Sequence, residues 1–157
     1  MNIKLLAIGK TDNKALQTLM DDYQKRLSFY IKFDLEIIPD IKNVKNLSEA
    51  QQKEKEGELI LNKLTPTDQL LLLDENGKSF TSVKFSEELQ KKMNSGIKTL
   101  VFVIGGPYGF SDAVYAKAQG KISLSAMTFS HQMVRLFFIE QLYRAFTILR
   151  NEPYHHQ

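Results

Sequence analysis

The chain contains no cysteine. That removes disulfides, thiolate metal sites and a cysteine nucleophile from consideration. Long apolar runs are missing too. Met1 to Gly9 is apolar but far shorter than a membrane span, and it lacks the basic leader and small-residue cleavage site of a signal peptide, so cytoplasmic residence is expected. Charge of one sign is only slightly in excess: 21 Lys and Arg against 18 Asp and Glu give a formal net charge of +3 and a pI near 9.0. A bias this mild is compatible with RNA but is far from the dense basic surface of a free-standing nucleic-acid binder. An RNA partner would require a dimer, which doubles the field, or a preassembled target. Neither Gly-x-Gly-x-x-Gly nor a Gly-Lys-Ser/Thr ending is present, which disfavours a dinucleotide or a nucleoside triphosphate. No metal site is expected, because His155 and His156 are adjacent with diverging side chains and His131 is remote from both.

What the 157 residues do contain is enough apolar material, 43%, for one domain spanning 1–157 with a full core. Apolar runs predict strands at Ile3 to Gly9, Leu70 to Leu73 and Thr99 to Ile104, with a short fifth near Ile122, and the alternation of Phe33, Leu35 and Ile37 with Asp34 and Glu36 predicts a strand at Phe33 to Ile38 with one wet face, ended by Pro39. Helices are predicted between them. Asp12 caps one with Leu16, Leu19, Met20, Tyr23 and Leu27 on one face. Ser48 and Gln51 have capping-box spacing and open a polar helix to about Leu64, where Glu54, Lys55, Glu56 and Glu58 read as a solvated face and Gly57 as a weak point. Ser82 caps a helix ended by Gly96, and further helices are expected from Ser111 to Gln119 and from His131 to Arg150. Asp40 to Leu47 reads as a loop, and Asn76-Gly77 as a turn. Strands alternating with helices, the inner strands apolar throughout, predict an α/β fold with a mainly parallel sheet covered on both faces.

Ligands in such sheets sit at the carboxyl ends of strands. Three of those ends are small or glycine-marked: Leu73 into Asp74, Ile104 into Gly105-Gly106, and Leu124 into Ser125-Ala126. Together they point to a backbone-lined pocket without a phosphate cradle, suited to an uncharged adenine and a small cationic or zwitterionic group. The last helix is apolar around most of its circumference, so one face is expected on the sheet and another on a partner chain. Glu140 and Arg144 are spaced to pair.

Five motifs in order then carry a resemblance: Ile104-Gly-Gly-Pro-Tyr-Gly109, Leu124-Ser-Ala-Met-Thr-Phe129, His131-Gln-Met-Val-Arg135, Glu140-Gln-Leu-Tyr-Arg-Ala145 and Asn151-Glu-Pro-Tyr-His155. With Leu5 to Gly9, Leu72 to Asp74 and Gly77-Lys78, the chain resembles over its whole length the SPOUT-class methyltransferases of the large-subunit ribosomal RNA methyltransferase H family. The resemblance implies a trefoil-knotted sheet, a homodimer, S-adenosylmethionine as cofactor, and methylation of N3 of a pseudouridine in 23S ribosomal RNA on the ribosome. By position it implies a cofactor site formed by Leu73, Gly105, Leu124, Ser125, Ala126, Met127, Thr128 and Phe129. It also implies a substrate side formed by Arg144, Tyr154 and His155, reaching the cofactor of the other subunit. His155 would assist deprotonation or orient the base, Arg144 would stabilise charge on a base carbonyl, and Tyr154 would stack on or bond to the flipped nucleotide. Tyr108 departs from the family's loop, which often has a small, polar or acidic residue there, and the ending His156-Gln157 departs from its basic tail. A SPOUT enzyme acting on transfer RNA and a non-enzymatic ribosome-assembly factor are the alternatives.

Overall fold

A computed structural model describes residues 1–156; Gln157, the last residue of the divergent tail ending, lies outside the described residues. Strands and helices alternate as β1 (Asn2–Ile8), α1 (Lys14–Leu27), β2 (Phe33–Ile38), a 3-10 turn at Val44–Asn46, α2 (Glu49–Asn62), β3 (Gln69–Ser79), α3 (Ser82–Asn94), β4 (Thr99–Ile104), α4 (Asp112–Lys117), β5 (Gly120–Ser123) and α5 (Met133–Leu149). Every strand pairing is parallel, in the order β2-β1-β4-β3-β5. The expected α/β architecture is therefore the observed one.

Side chains alternate across each strand, and in β4, most of β1 and the first half of β3 both sets are buried. Leu5, Ala7, Leu100, Phe102 and Ile104 pack with Met20 and Leu27 of α1, Phe85 and Leu89 of α3, and Phe138, Ile139 and Leu142 of α5. On the other face Leu6, Ile8, Val101 and Val103 pack with Ile60 of α2 and Val114 of α4. A sheet covered on both faces needs apolar residues at consecutive positions, which is why the strands read as unbroken runs. Each large side chain so buried contributes about 1.5–3 kcal/mol.

Several local expectations are corrected. The cap of α1 is Asn13 rather than Asp12; its side chain accepts from the amides of Ala15 (2.8 Å) and Leu16 (3.2 Å). Leu19, assigned to the inner face, is exposed, while Met20 and Leu27 are buried. Thr81, not Ser82, caps α3, and Ser82 instead donates to Gln141 of α5 at 2.9 Å. The Ser48–Gln51 capping box is present as expected, but α2 is not solvated throughout. Glu56 is only 3% exposed. Gly57 is a point of close approach rather than weakness, since a Cβ there would come within 3.1 Å of Cβ of Ser111.

Two features matter for the site. Asn76-Gly77 does not reverse the chain: β3 pairs with β5 up to Leu73–Ile122 and resumes at Lys78–Ile122, so Asp74 to Gly77 are extruded from the ladder as a bulge. Gly77 is required there, because a Cβ would come 2.6 Å from the backbone nitrogen of Ile122. The second feature is α5, which packs between α1 and α3 over the sheet. Those helices and the sheet cover much of its apolar circumference, while Met133 and Phe137, with nearby Phe129, stay exposed. Arg135, a charged residue within this apolar helix, is 1% exposed.

Candidate active site

The carboxyl ends of β3, β4 and β5 open into one cavity of about 490 Å³. Its walls include Leu73, Gly105, Leu124, Ser125, Met127, Thr128 and Phe129, together with the extruded Asp74, Glu75 and Asn76. All three small-residue strand ends thus converge. Of the residues singled out in the run 124–129, only Ala126 does not line it.

The loop after β4 is shaped by what lies behind it. A Cβ on Gly105 would stand 3.0 Å from the Phe110 ring, and one on Gly106 would stand 2.7 Å from Cδ of Glu56. The loop folds back at Gly109, whose φ of +81° favours glycine, and the Gly109 amide donates to the Gly106 carbonyl at 3.3 Å. The loop after β5 is held by its own side chains. Ser123 donates to the Ser125 carbonyl at 3.0 Å, and the Ser125 hydroxyl accepts from the Met127 amide at 2.9 Å.

The electrostatics of this cavity select among ligands. Among the described residues lining it none is Lys or Arg, whereas two are carboxylates, Asp74 and Glu75. Tyr115, also in the wall, donates to Asp74, and its hydroxyl is pushed up to about 12 by burial and by that carboxylate. Polyphosphate is unsuited to such a lining; an apolar ring with a cationic group is suited to it.

A second cluster sits at the end of α5. Asn151 adopts a left-handed φ of +55° after the last helical turn, a conformation Asn tolerates better than most residues. The chain therefore reverses, and the Glu152 amide donates to the Thr147 carbonyl at 2.9 Å. Tyr30 donates to the Glu152 carboxylate and is raised to about 12, chiefly by that bond. The tail so returned places the Tyr154 hydroxyl 2.8 Å from Oε1 of Glu140, which also takes Arg144 at 2.6 Å. The Arg144 guanidinium carbon lies 4.8 Å from the Tyr154 ring centroid, and Tyr23 bonds the Tyr154 hydroxyl at 3.1 Å. Burial, followed by those two bonds, holds the Tyr154 hydroxyl well above its ordinary range, so it stays protonated.

Arg144 also lies 3.1 Å from Nδ1 of His155. A guanidinium can only donate. As a hydrogen bond this contact therefore makes Nδ1 the acceptor and corresponds to the tautomer with its proton on Nε2. Arg144, Tyr154 and His155 are brought together as one unit, but none of them lines the 490 Å³ cavity of the same chain. Gln141 stands between. It donates to Glu140 at 3.1 Å and borders a smaller cavity of about 220 Å³ that shares Ser123, Leu124 and Phe129 with the large one.

A family model described as "Predicted SPOUT methyltransferase" matches residues 1–155. The chain belongs to the SPOUT methyltransferase family. Among SPOUT relatives, proteins named ribosomal RNA large subunit methyltransferase H from Flavobacterium johnsoniae and Flavobacterium psychrophilum are each 87% identical over 157 residues, covering all of both chains. One of the same name from Parabacteroides distasonis is 66% identical over the same span. In this SPOUT chain the cavity accordingly belongs to a methyltransferase.

Sequence reasoning missed the roles of four residues. Asp74 and Glu75 were hidden by the turn reading of Asn76-Gly77. Glu56 was hidden in a charge-rich helix. Arg135 donates to the carbonyls of Gly9 (2.7 Å) and Ile8 (2.8 Å) and to the Thr11 hydroxyl (3.0 Å), a task for which periodicity offers no signal.

Proposed function

We propose that the chain, as one domain, uses S-adenosylmethionine to methylate N3 of a pseudouridine in 23S ribosomal RNA, acting on the ribosome in the cytoplasm as a homodimer with a trefoil-knotted site. The observation that carries this reading is the full-length identity with relatives named as large-subunit ribosomal RNA methyltransferases, joined to a cavity whose lining suits that cofactor. Walls from Leu73, Gly105, Leu124, Ser125, Met127, Thr128 and Phe129 accept an adenine, and Asp74 and Glu75 favour a sulfonium and an amino group.

When bound, the cofactor would supply an electrophilic methyl group to N3, departing as a neutral thioether, with the N3 proton released to solvent. The residues of the chain act on the base. Arg144, seated between Glu140 and Tyr154, is already oriented to stabilise negative charge on the base carbonyl. Tyr154, held protonated, offers a ring and a hydroxyl to the flipped nucleotide. His155 presents Nε2–H, a donor, because Nδ1 is engaged by Arg144. That favours orientation of the base over proton abstraction. Because these three residues stand outside the cavity of their own chain, the complete site is formed with the cavity of a second copy.

Labelled S-adenosylmethionine incubated with ribosomes, separated subunits and transfer RNA tests this reading, with the methylated base identified by mass spectrometry. Label in the large-subunit RNA at a pseudouridine is expected. Label in transfer RNA, or RNA binding with no measurable cofactor affinity, would replace it with one of the two alternatives.

A further inference from the structure

Glu56 occupies a position that the reaction described above does not use. It lies on α2, on the face of the sheet opposite α5, and the cavity's lining does not include it. Its carboxyl is buried directly behind Gly106, so close that a methyl group at Gly106 would overlap it. Among the described residues its Oε1 finds no hydrogen-bond partner. A buried, unpartnered carboxyl oxygen is costly. Packing alone would be served better by an apolar side chain.

The next residue of α2 explains what the contact does. Gly57 is packed against Ser111, which is 3% exposed and whose hydroxyl caps α4 by accepting from Val114. Glu56 and Gly57 therefore touch both ends of the segment from Gly106 to Ser111. Between those ends lie Pro107, Tyr108 and Gly109, which wall the cavity and are exposed on their other side. A loop containing Gly105, Gly106 and Gly109 has little stiffness of its own, because glycine restricts the backbone least.

We propose that Glu56 is a positioning residue for methyl-donor binding: its carboxyl braces Gly106 from behind and keeps the loop Gly105 to Phe110 in the shape that walls the cavity. This rests on the cavity being the cofactor site. The brace works through shape and polarity rather than charge. Burial, with Asp40 adding and Gln52 opposing, raises the carboxyl's affinity for its proton and so favours the neutral form. Glutamine reproduces that form; alanine leaves the space behind Gly106 empty.

The experiment compares wild type, Glu56→Gln and Glu56→Ala as full-length proteins. Calorimetry measures S-adenosylmethionine affinity, ribosome methylation gives kcat and the cofactor KM, and thermal unfolding confirms the fold at the assay temperature. For Glu56→Ala the cofactor Kd and KM are expected to rise about tenfold, the cost of ordering roughly one backbone residue on binding. Its kcat at saturating cofactor should stay within about twofold, since the reacting groups are untouched. Glu56→Gln should restore affinity to within about twofold of wild type on the same reasoning. A lowered Tm for Glu56→Ala with unchanged Kd and KM would overturn the proposal and leave Glu56 a purely structural residue. Loss of affinity in Glu56→Gln equal to that in Glu56→Ala would also overturn it, because charge rather than shape would then be what the loop needs. Absence of cofactor binding by the wild type would instead overturn the assignment of the cavity. Should Glu56→Ala fail to fold, Gly106→Ala presses the same contact from the loop side, and an unchanged cofactor KM in that variant would contradict the brace.

Discussion

At the scale of single residues, two buried polar side chains carry more than their neighbours. Arg135 has its guanidinium on two carbonyls at the end of β1 and on Thr11, with Nε unpartnered among the described residues. Desolvation weakens its hold on its proton, with Asp40 and Asp12 opposing. Arg135→Ala would strip the Gly9 and Ile8 carbonyls of a charged donor in a dry interior, so chemical denaturation should show a loss of roughly 2–4 kcal/mol. Arg135→Lys should recover only part, because one ammonium does not reproduce the planar fork. Glu56 gives a pH-dependent counterpart. A carboxyl whose pKa rises on folding binds its proton more tightly when folded. Stability is then fully present below the ordinary carboxyl pKa and falls as pH rises through the folded value. Glu56→Gln cannot ionise, so its Tm should exceed that of wild type by a margin that widens as pH rises above the ordinary carboxyl range. A margin independent of pH would contradict the assignment.

At the scale of elements, the C-terminal tail is the unit whose placement matters most, and Asn151 is its hinge. The left-handed conformation there costs a β-branched residue on the order of 1–2 kcal/mol, while glycine adopts it freely. Asn151→Val should therefore free the tail, seen as faster amide exchange at Glu152 and lower methyl transfer, with cofactor affinity unchanged. Asn151→Gly should keep both near wild type. Within the tail, the tautomer of His155 makes a separate prediction. A residue that donates from Nε2 can be replaced in part by the amide of glutamine, so His155→Gln should retain more methyl transfer than His155→Ala. Equal loss in both would restore the role of base.

Across the whole molecule, the parallel sheet, its two covered faces and the convergence of three strand ends were legible, because apolar runs and small residues at strand ends follow from burial on both faces. What escaped depends on contacts remote in sequence. Nothing local distinguishes Glu56 from Glu54 or Glu58, since burial is decided by where Gly106 arrives. Asn76-Gly77 has the composition of a turn, and only its parallel neighbour β5 makes it a bulge. Leu19 illustrates the reverse: a position on the apolar side of α1 that no other element reaches. The division of the site between a cavity in one place and Arg144, Tyr154 and His155 in another was implied by resemblance alone, and under the proposed function it makes the second copy part of the chemistry.

Subunit mixing tests that division most directly. Ser125→Trp fills the cavity and leaves the tail intact, whereas Arg144→Ala disables the tail and leaves the cavity intact. Each variant alone should transfer no labelled methyl to ribosomes. Unfolded together and refolded at equal concentration, half the dimers formed at random combine the two variants, and each of these holds one intact site of its two. Activity should then return to about a quarter of the wild-type value. A mixture as inactive as its components would show that cavity and tail serve the same chain, and would contradict the composite site.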